Sequence, residues 1–369
     1  MIAFVMPHRD REEELARTLA MLGALDVGPG EVIVADNASR ERPRTPRRLE
    51  NGLLVRRLDL SENMGAAARN VAVEASDPRC EWVVMLDDDS APLDAGFMHA
   101  LARQDARVGA VMADIVLSDA RGREQGGLPE VFIGCGVAIR RRVFLDLGGY
   151  DHAFNYYVEE YDLAARMIAA GWRVVFDPAF RVEHRKVSAG RDMDAILHRL
   201  VRNNGWVIQR YAPEEDRREL LRETRRRYRA IARKEQAGGG FGAGLVELRQ
   251  TIRAQARMPM PRAHWDRFTG LSHAYEAIEI AWAREGFRSA AIVDAGKNAW
   301  CVVRALQAMG VVIERDEQRA DVVVPGTMSP GPMIDSALRW RDRGASVVTP
   351  WMGAWAIVPP GMRRGAQAA

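Results

Sequence analysis

The 369-residue sequence has few cysteines and lacks a long apolar run. Its three cysteines, Cys80, Cys135 and Cys301, lie far apart without a CxxC pair, which argues against a disulfide framework or a zinc site. We interpret them as small core residues. No apolar run is long enough to cross a bilayer, and residues 1–7 are too short for the apolar region of a signal peptide. We therefore expect a cytoplasmic protein.

Up to about residue 210, short β-rich runs alternate with helical patterns, which is typical of an α/β domain. With 47% hydrophobic residues, the chain can bury the cores of two or three domains. The first domain is expected to cover residues 1–212. Its predicted strands are 2–6, 31–35, 53–58, 82–86, 108–116, 132–139 and 172–176, and its predicted helices are 12–25, 66–75 and 160–170.

Residues 213–286 form a charged, helical connector in this prediction. Between Arg217 and Lys234 nine basic residues face two acidic ones, which predicts a basic helix. Such a helix can present a solvated face, make a peripheral contact with an anionic membrane, or attract an anionic acceptor. Nucleic acid is not expected, because no aromatic stacking platform accompanies the charge. Residues 238–242 and 258–261 are predicted to be flexible joints.

Residues 287–369 predict a second, smaller α/β unit that resembles a truncated Rossmann-like domain. Its first turn, residues 294–299, lacks the GxGxxG glycines that let a backbone approach a dinucleotide. We therefore favour another role for this unit over cofactor binding. It packs against the first domain, mediates self-association into a homo-oligomer, or positions an acceptor.

Three adjacent carboxylates, Asp87, Asp88 and Asp89, directly follow the apolar strand predicted at 82–86. A run of this length is typical of a strand covered on both faces, and α/β sheets bind ligands beyond the carboxyl ends of such strands. Carboxylate oxygens suit Mg²⁺ or Mn²⁺, which in turn binds a diphosphate. The alternative is a solvated acidic turn.

Several segments of the first domain occur in a characteristic order, and together they resemble the family 2 glycosyltransferases of the GT-A fold over about residues 1–210. The segments are Pro7-His8-Arg9, Ala35-Asp36-Asn37, Asn63-Met64-Gly65 with Arg69, the Asp87-Asp88-Asp89 triplet, Gly134-Cys135-Gly136, Gly149-Tyr150-Asp151, Glu159-Glu160 and His184. The resemblance implies an α/β GT-A fold with a mostly parallel central sheet.

The resemblance also implies a donor site and a metal site. Pro7, Arg9, Asn63, Gly65, Arg69, Asp87 and Asp88 are expected to bind the donor. Asp36 can accept hydrogen bonds from a uracil-type base, which favours a UDP-sugar among nucleoside-diphosphate sugars. Asp89, together with His184, is expected to bind the Mn²⁺ or Mg²⁺ ion.

The pair Glu159 and Glu160 takes the place of the carboxylates that serve as general base in this family. Glu160 aligns with the base, although the choice between the two residues stays open. Gly134, Gly136, Gly149 and Asp151 are expected on the acceptor side. The implied reaction is inverting, metal-dependent transfer to a hydroxyl of a saccharide, a lipid-linked acceptor or another acceptor.

Two other functions remain open from the sequence. A sugar nucleotidyltransferase would also handle nucleotide sugars, but it calls for a Gly-rich loop with Arg and Lys directly after the first strand, where this chain has Pro7-His8-Arg9-Asp10. The other alternative is a non-catalytic protein that binds nucleotide sugars, or serves as a scaffold, with the same fold.

Overall fold

The structure is a computed structural model and describes residues 1–118, 122–186 and 192–352. The part of residues 2–184 that it describes contains eight strands and five α-helices. The strands are β1 (Ile2–His8), β2 (Gly30–Asp36), β3 (Leu54–Asp59), β4 (Trp82–Met85), β5 (Ser90–Pro92), β6 (Val108–Leu117), β7 (Val137–Arg140) and β8 (Arg173–His184). The helices are α1 (Glu12–Gly23), α2 (Ala68–Ala75), α3 (Gly96–Ala102), α4 (Arg141–Asp146) and α5 (Glu159–Ala169).

All eight strands form one mixed sheet in the order β3-β2-β1-β4-β7-β6-β8-β5. Strands β1 to β4 pair in parallel, β6 pairs in parallel with β8, and β7 and β5 pair in antiparallel fashion with their neighbours. The central sheet is thus mixed, whereas the sequence predicted a mostly parallel one. The apolar runs of β1, β2 and β4 are buried, as expected for strands covered on both faces.

The parallel pairing brings the carboxyl ends of β1, β2 and β4 to one edge of the sheet. His8 lies beside Asp36 in the register of β1 and β2. Leu86 donates its backbone N–H to the carbonyl of Val5, so the acidic triplet begins at the same edge. This edge is where α/β sheets bind their ligands.

Two predicted strands have different bounds in the structure. The predicted strand at 132–139 is a loop up to β7, which begins at Val137 and pairs with β4 and β6. The predicted strand at 172–176 continues to His184, because β8 follows β6 along its length through a register shift. The extension places His184 opposite Ser90, close to the triplet.

Five helices lie between β8 and the carboxyl-terminal sheet in the described residues: α6 (Met193–Tyr211), α7 (Glu214–Lys234), α8 (Gly238–Thr251), α9 (Arg262–Thr269) and α10 (Leu271–Glu285). The predicted basic helix is confirmed as α7. The prediction of a flexible joint at 238–242 was wrong, because these residues form the start of α8 against α6. Residues 258–261 are anchored rather than flexible, since Met260 is buried and donates its N–H to the carbonyl of Tyr211.

The carboxyl-terminal unit contains a three-stranded parallel sheet, ordered β10-β9-β11, with two helices. Its elements are β9 (Ser289–Val293), α11 (Ala299–Ala308), β10 (Val312–Glu314), β11 (Val322–Pro325) and α12 (Pro330–Asp342). A single parallel bridge joins Val347 to Val323 of β11. Residues 353–369 of the predicted third domain lie outside the described residues. The three-part domain division and the Rossmann-like character stay predictions.

None of the helices in the described ranges combines the length and apolar content that a membrane crossing requires. The three cysteines are buried and unpaired, as the sequence predicted.

Candidate active site

A cleft of about 640 Å³ opens at the carboxyl edge of β1 and β4. Its wall includes most of the predicted catalytic, donor and metal residues, which are Pro7, Arg9, Arg69, Asp87, Asp88, Asp89, Glu159, Glu160 and His184. It also includes residues from α6, α7 and the carboxyl-terminal unit. The cleft is thus built by both sheets and by the helices between them.

The acidic triplet is enclosed by basic side chains. Arg11 donates one hydrogen bond to Asp88 and another to Asp89, each over 2.6 Å, and Asp87 is paired with Arg69. Nδ1 of His8 lies 3.0 Å from Asp88. Burial raises the pKa of Asp88, whereas contacts with His184 and Arg11 overcome the effect of burial and lower the pKa of Asp89. The triplet is therefore a charge-compensated cluster in which Asp88 and Asp89 are buried, and not a solvated turn.

The structure brings His184 to Asp89, as the sequence predicted for a metal pair. Nε2 of His184 lies 3.4 Å from a carboxylate oxygen of Asp89, and Nδ1 lies 2.7 Å from Glu124. Glu124 also accepts a 2.7 Å hydrogen bond from Lys186. Burial opposes ionisation of Glu124, but His184 and Lys186 lower its pKa to about 2. A carboxylate on Nδ1 orients the imidazole so that Nε2 is directed at a metal position.

These side chains fit a divalent cation. One ligand atom from each of Asp87, Cys135 and His184 lies within 4.8 Å of the other two. Asp89 is next to this group through its contact with His184. Carboxylate and imidazole ligands suit Mn²⁺, and the carboxylates suit Mg²⁺. Arg11 shares the carboxylates of Asp88 and Asp89, so a cation would bind beside its guanidinium.

Glu159 and Glu160 begin α5 but differ in their surroundings. Glu159 is 5% exposed, and its Oε2 has no hydrogen-bond partner among the described residues. Glu160 is partly exposed to the cleft and accepts a 3.2 Å hydrogen bond from the N–H of Gly134. Burial raises the pKa of both carboxyl groups, and the charge of Glu160 adds to the effect on Glu159. Of the two side chains in the cleft wall, that of Glu160 is the more exposed.

Asp36, Asn63 and Gly65 lie near the same edge without belonging to the cleft wall. Asp36 accepts a hydrogen bond from the hydroxyl of Ser39. In the loop between β3 and α2, the side chain of Asn63 accepts a 3.0 Å hydrogen bond from the N–H of Gly65 and stabilises a turn. Gly65 has φ +64°, and a Cβ there would lie 2.3 Å from the carbonyl oxygen of Asn155, so only glycine fits.

Three of the four predicted acceptor-side residues have structural contacts away from the cleft wall. Gly136 packs against Ile115, and Gly149, with φ +66°, packs against Asn70. Asp151 accepts the N–H of Ala153 and pairs with Arg210. Gly134 alone of the four lines the cleft.

Several cleft residues were not predicted from the sequence: Arg11, Glu124, Lys186, Tyr161 and Lys297. Arg11 lies two residues after the Pro7-His8-Arg9 segment, and Tyr161 follows the glutamate pair. Their positions could have suggested them. Glu124 and Lys297 carried no such signal, because their contacts with the cleft depend on how a loop and the second sheet are placed.

The chain is similar to known glycosyltransferases. A family model described as Glycosyl transferase family 2 matches residues 3–156. The N-acetylglucosaminyl-diphospho-decaprenol L-rhamnosyltransferase of Mycobacterium tuberculosis is 40% identical over 60 residues, which are 16% of this chain and 20% of that protein. The matched segment thus spans about a fifth of that relative.

Solved structures are also similar to this chain. GalNAc-T7 with UDP, GalNAc and Mn²⁺ has a TM-score of 0.50 at 15% identity, covering 69% of this chain and 57% of that one. The mannosyltransferase PcManGT from Pyrobaculum calidifontis, in complex with GDP-Man and Mn²⁺, has a TM-score of 0.46 at 17% identity, covering 84% and 86%. Together with the family match, the first structure shows a GT-A-like α/β fold.

Proposed function

We propose that this protein, whose residues 3–156 form a glycosyltransferase family 2 domain, transfers a sugar from a nucleoside-diphosphate sugar to an acceptor hydroxyl with inversion at the anomeric carbon. The observation that carries the proposal is the single cleft shared by Glu160, the acidic triplet and His184. One carboxylate faces the cleft as a base, and the others form a cation site across from it.

In this mechanism, Glu160 accepts the proton of the acceptor hydroxyl. The hydroxyl oxygen forms a bond to the anomeric carbon while the bond from that carbon to the diphosphate oxygen breaks. Since burial raises the pKa of Glu160, its carboxylate is a stronger base than an ordinary glutamate. No covalent intermediate with the enzyme is required.

Asp89 and His184 would hold a Mn²⁺ or Mg²⁺ ion, whose chemistry is to neutralise charge on the departing nucleoside diphosphate. The guanidinium of Arg69 forms an ion pair with Asp87 just beyond the carboxyl end of β4. We assign Asp87 and Asp88 to the donor and favour a UDP-sugar. The similar GalNAc-T7 structure, which contains UDP and Mn²⁺, supports both the choice of nucleotide and the choice of metal.

The acceptor class is proposed from the curated relative. Its name specifies a saccharide joined through a diphosphate to a polyprenol. We propose a saccharide acceptor of this lipid-linked, phosphate-bearing class.

A screen of nucleotide sugars for donor hydrolysis, with and without EDTA, tests the proposal. We expect hydrolysis of at least one donor, loss of that activity with EDTA, and recovery with Mn²⁺ or Mg²⁺. Asp89→Ala should bind UDP weakly and lose hydrolysis in the presence of metal. A folded Asp89→Ala protein with the wild-type rate would refute the assigned metal site.

A further inference from the structure

Lysine is rare in this chain, and two of its lysines line the cleft. Among 53 basic residues the only lysines are Lys186, Lys234 and Lys297. Lys186 and Lys297 belong to the cleft wall, whereas Lys234 ends α7 with a side chain that is 84% exposed. A lysine offers a compact ammonium on a flexible stem, in contrast to the rigid fork of arginine.

Lys297 reaches the cleft from the carboxyl-terminal unit. It lies in the turn between β9 and α11, where Asp294 and Asn298 both have positive φ, 49° and 56°. Its carbonyl accepts the N–H of Met328 over 2.9 Å, which holds the turn in place. Its ammonium contacts the hydroxyl of Tyr161 and lies 4.2 Å from the centroid of that ring. Tyr161 directly follows Glu160.

The charge of Lys297 is not compensated by an ion pair. Lys186 pairs with Glu124 over 2.7 Å, but no carboxylate of the described chain lies within 4.0 Å of the Lys297 ammonium. Glu160, which lines the same cleft, acts on the Lys297 ammonium without forming an ion pair with it, whereas Arg227 on α7 is exposed and does not line the cleft. Burial, followed by the charge of Arg227, lowers the pKa of Lys297 to about 7.

The Lys297 ammonium, which has no ion pair, favours binding of an anion. Bringing a cation out of water is unfavourable unless an opposite charge compensates it. A phosphate suits this position, because it accepts charge-assisted hydrogen bonds from an ammonium. An anion beside Tyr161 would lie next to Glu160, where the acceptor hydroxyl reacts.

We propose, on the basis of the function proposed above, that Lys297 binds a phosphate group of the acceptor. The carboxyl-terminal unit thereby completes the acceptor side of the active site. This proposal explains why the second sheet carries a lysine into a cleft whose other residues belong to the first domain and its helices.

Binding of phenyl phosphate to the full-length protein, saturated with UDP and Mg²⁺ so that the donor side is occupied, tests the proposal by calorimetry. Wild type should bind the probe. Lys297→Met should weaken its binding about tenfold or more, since it removes a charged hydrogen-bond donor. Lys297→Arg should retain most of the binding. Lys234→Met and Arg226→Met, which alter exposed residues on α7, should bind like wild type.

Equal phenyl phosphate affinity in wild type and Lys297→Met would overturn the proposal, as would a wild type that binds UDP and hydrolyses a donor but does not bind the probe. Benzoate binding as tightly as phenyl phosphate would overturn the choice of phosphate. Failure of the proposed function has a different signature, because the wild type would then neither bind UDP nor hydrolyse any nucleotide sugar. A Lys297-dependent affinity for phenyl phosphate in that case would still support the anion site.

Discussion

Glu159 and Glu160 are adjacent in sequence, yet the structure gives their carboxyl groups different surroundings. Both line the cleft, but Glu160 is partly exposed and accepts a hydrogen bond from the N–H of Gly134, whereas Glu159 is 5% exposed and its Oε2 has no partner among the described residues. A general base must reach the proton that it accepts. The surroundings therefore favour Glu160, where the sequence alone left both residues open.

We predict that Glu160→Gln lowers kcat by about 10²- to 10⁴-fold, the usual contribution of a general base. The affinity for UDP should stay unchanged, as measured by calorimetry. Glu159→Gln is the matched control. Because burial raises the pKa of Glu159 well above its ordinary value, this residue favours its neutral form, which glutamine resembles. An equal loss of kcat in Glu159→Gln would contradict the assignment.

The pH dependence of kcat follows from the same assignment. A base is active when deprotonated, so kcat should fall as pH decreases through the pKa of Glu160. Burial raises that pKa, which moves the acid limb above the value of about 4.3 typical of a free glutamate. A pH profile of kcat at saturating substrate measures the limb. A limb that persists unchanged in Glu160→Gln would assign it to another group.

At this scale the sequence predicted which residues meet at the cleft better than it predicted their supporting contacts. Asp89 and His184 could be paired in advance because a strand end and a family pattern mark both positions. The position of Arg11 beside the Pro7-His8-Arg9 segment could have suggested it as a site residue, but its partners and those of Glu124 could not be predicted, because a charged side chain in a turn or loop has no periodicity that reveals its partner. Their roles depend on distances of 2.6 to 2.7 Å that only the folded chain defines.

Among the elements, helix α8 shows why a glycine-rich segment was misinterpreted. In a sequence, a run of glycines commonly indicates a loop between helices or strands. Here, a Cβ on Gly240 would lie 2.0 Å from the carbonyl oxygen of Asp194, and one on Gly244 would lie 2.5 Å from that of His198. These glycines allow α8 to pack closely on α6. The distance between two helices is a tertiary property, which the local pattern does not contain.

We predict that Gly240→Ala lowers the free energy of unfolding by about 1–3 kcal/mol, because the added methyl group meets backbone that cannot rotate away. Gly242→Ala in the same helix is the control, since its Cβ would have no atom within 4 Å. It should raise the free energy of unfolding by about 0.5–1 kcal/mol, because alanine favours a helix. Thermal or urea unfolding measures both. A stabilised Gly240→Ala would refute the close packing.

In the whole molecule, the carboxyl-terminal unit supports the loop that carries Glu124. Asp335 on α12 accepts hydrogen bonds from the backbone N–H and the guanidinium of Arg123, over 2.8 and 2.7 Å. Arg123 also bonds to Asp114 on β6. Gly331 approaches so closely that a Cβ would lie 2.3 Å from the carbonyl oxygen of Glu124. The position of Glu124, and through it that of His184, thus depends on the second unit.

We predict that Asp335→Asn weakens Mn²⁺ binding although Asp335 is not a ligand, since it loosens the residue before Glu124. Glu124→Gln removes the carboxylate that orients His184 and should weaken Mn²⁺ binding by about 10- to 100-fold. Asp335→Asn should weaken it less. Titration of Mn²⁺ by electron paramagnetic resonance measures both without relying on activity.

Two exposed or uninvolved acidic residues provide the controls. Asp342 ends α12 on the surface, and Glu183 precedes His184 without an ion pair in the described residues, so Asp342→Asn and Glu183→Gln should bind Mn²⁺ like wild type. If Asp335→Asn bound Mn²⁺ as tightly as Asp342→Asn, the metal site would be independent of the second unit. The support for Glu124 would then come from His184 and Lys186 alone, and the carboxyl-terminal unit would affect the active site only through Lys297.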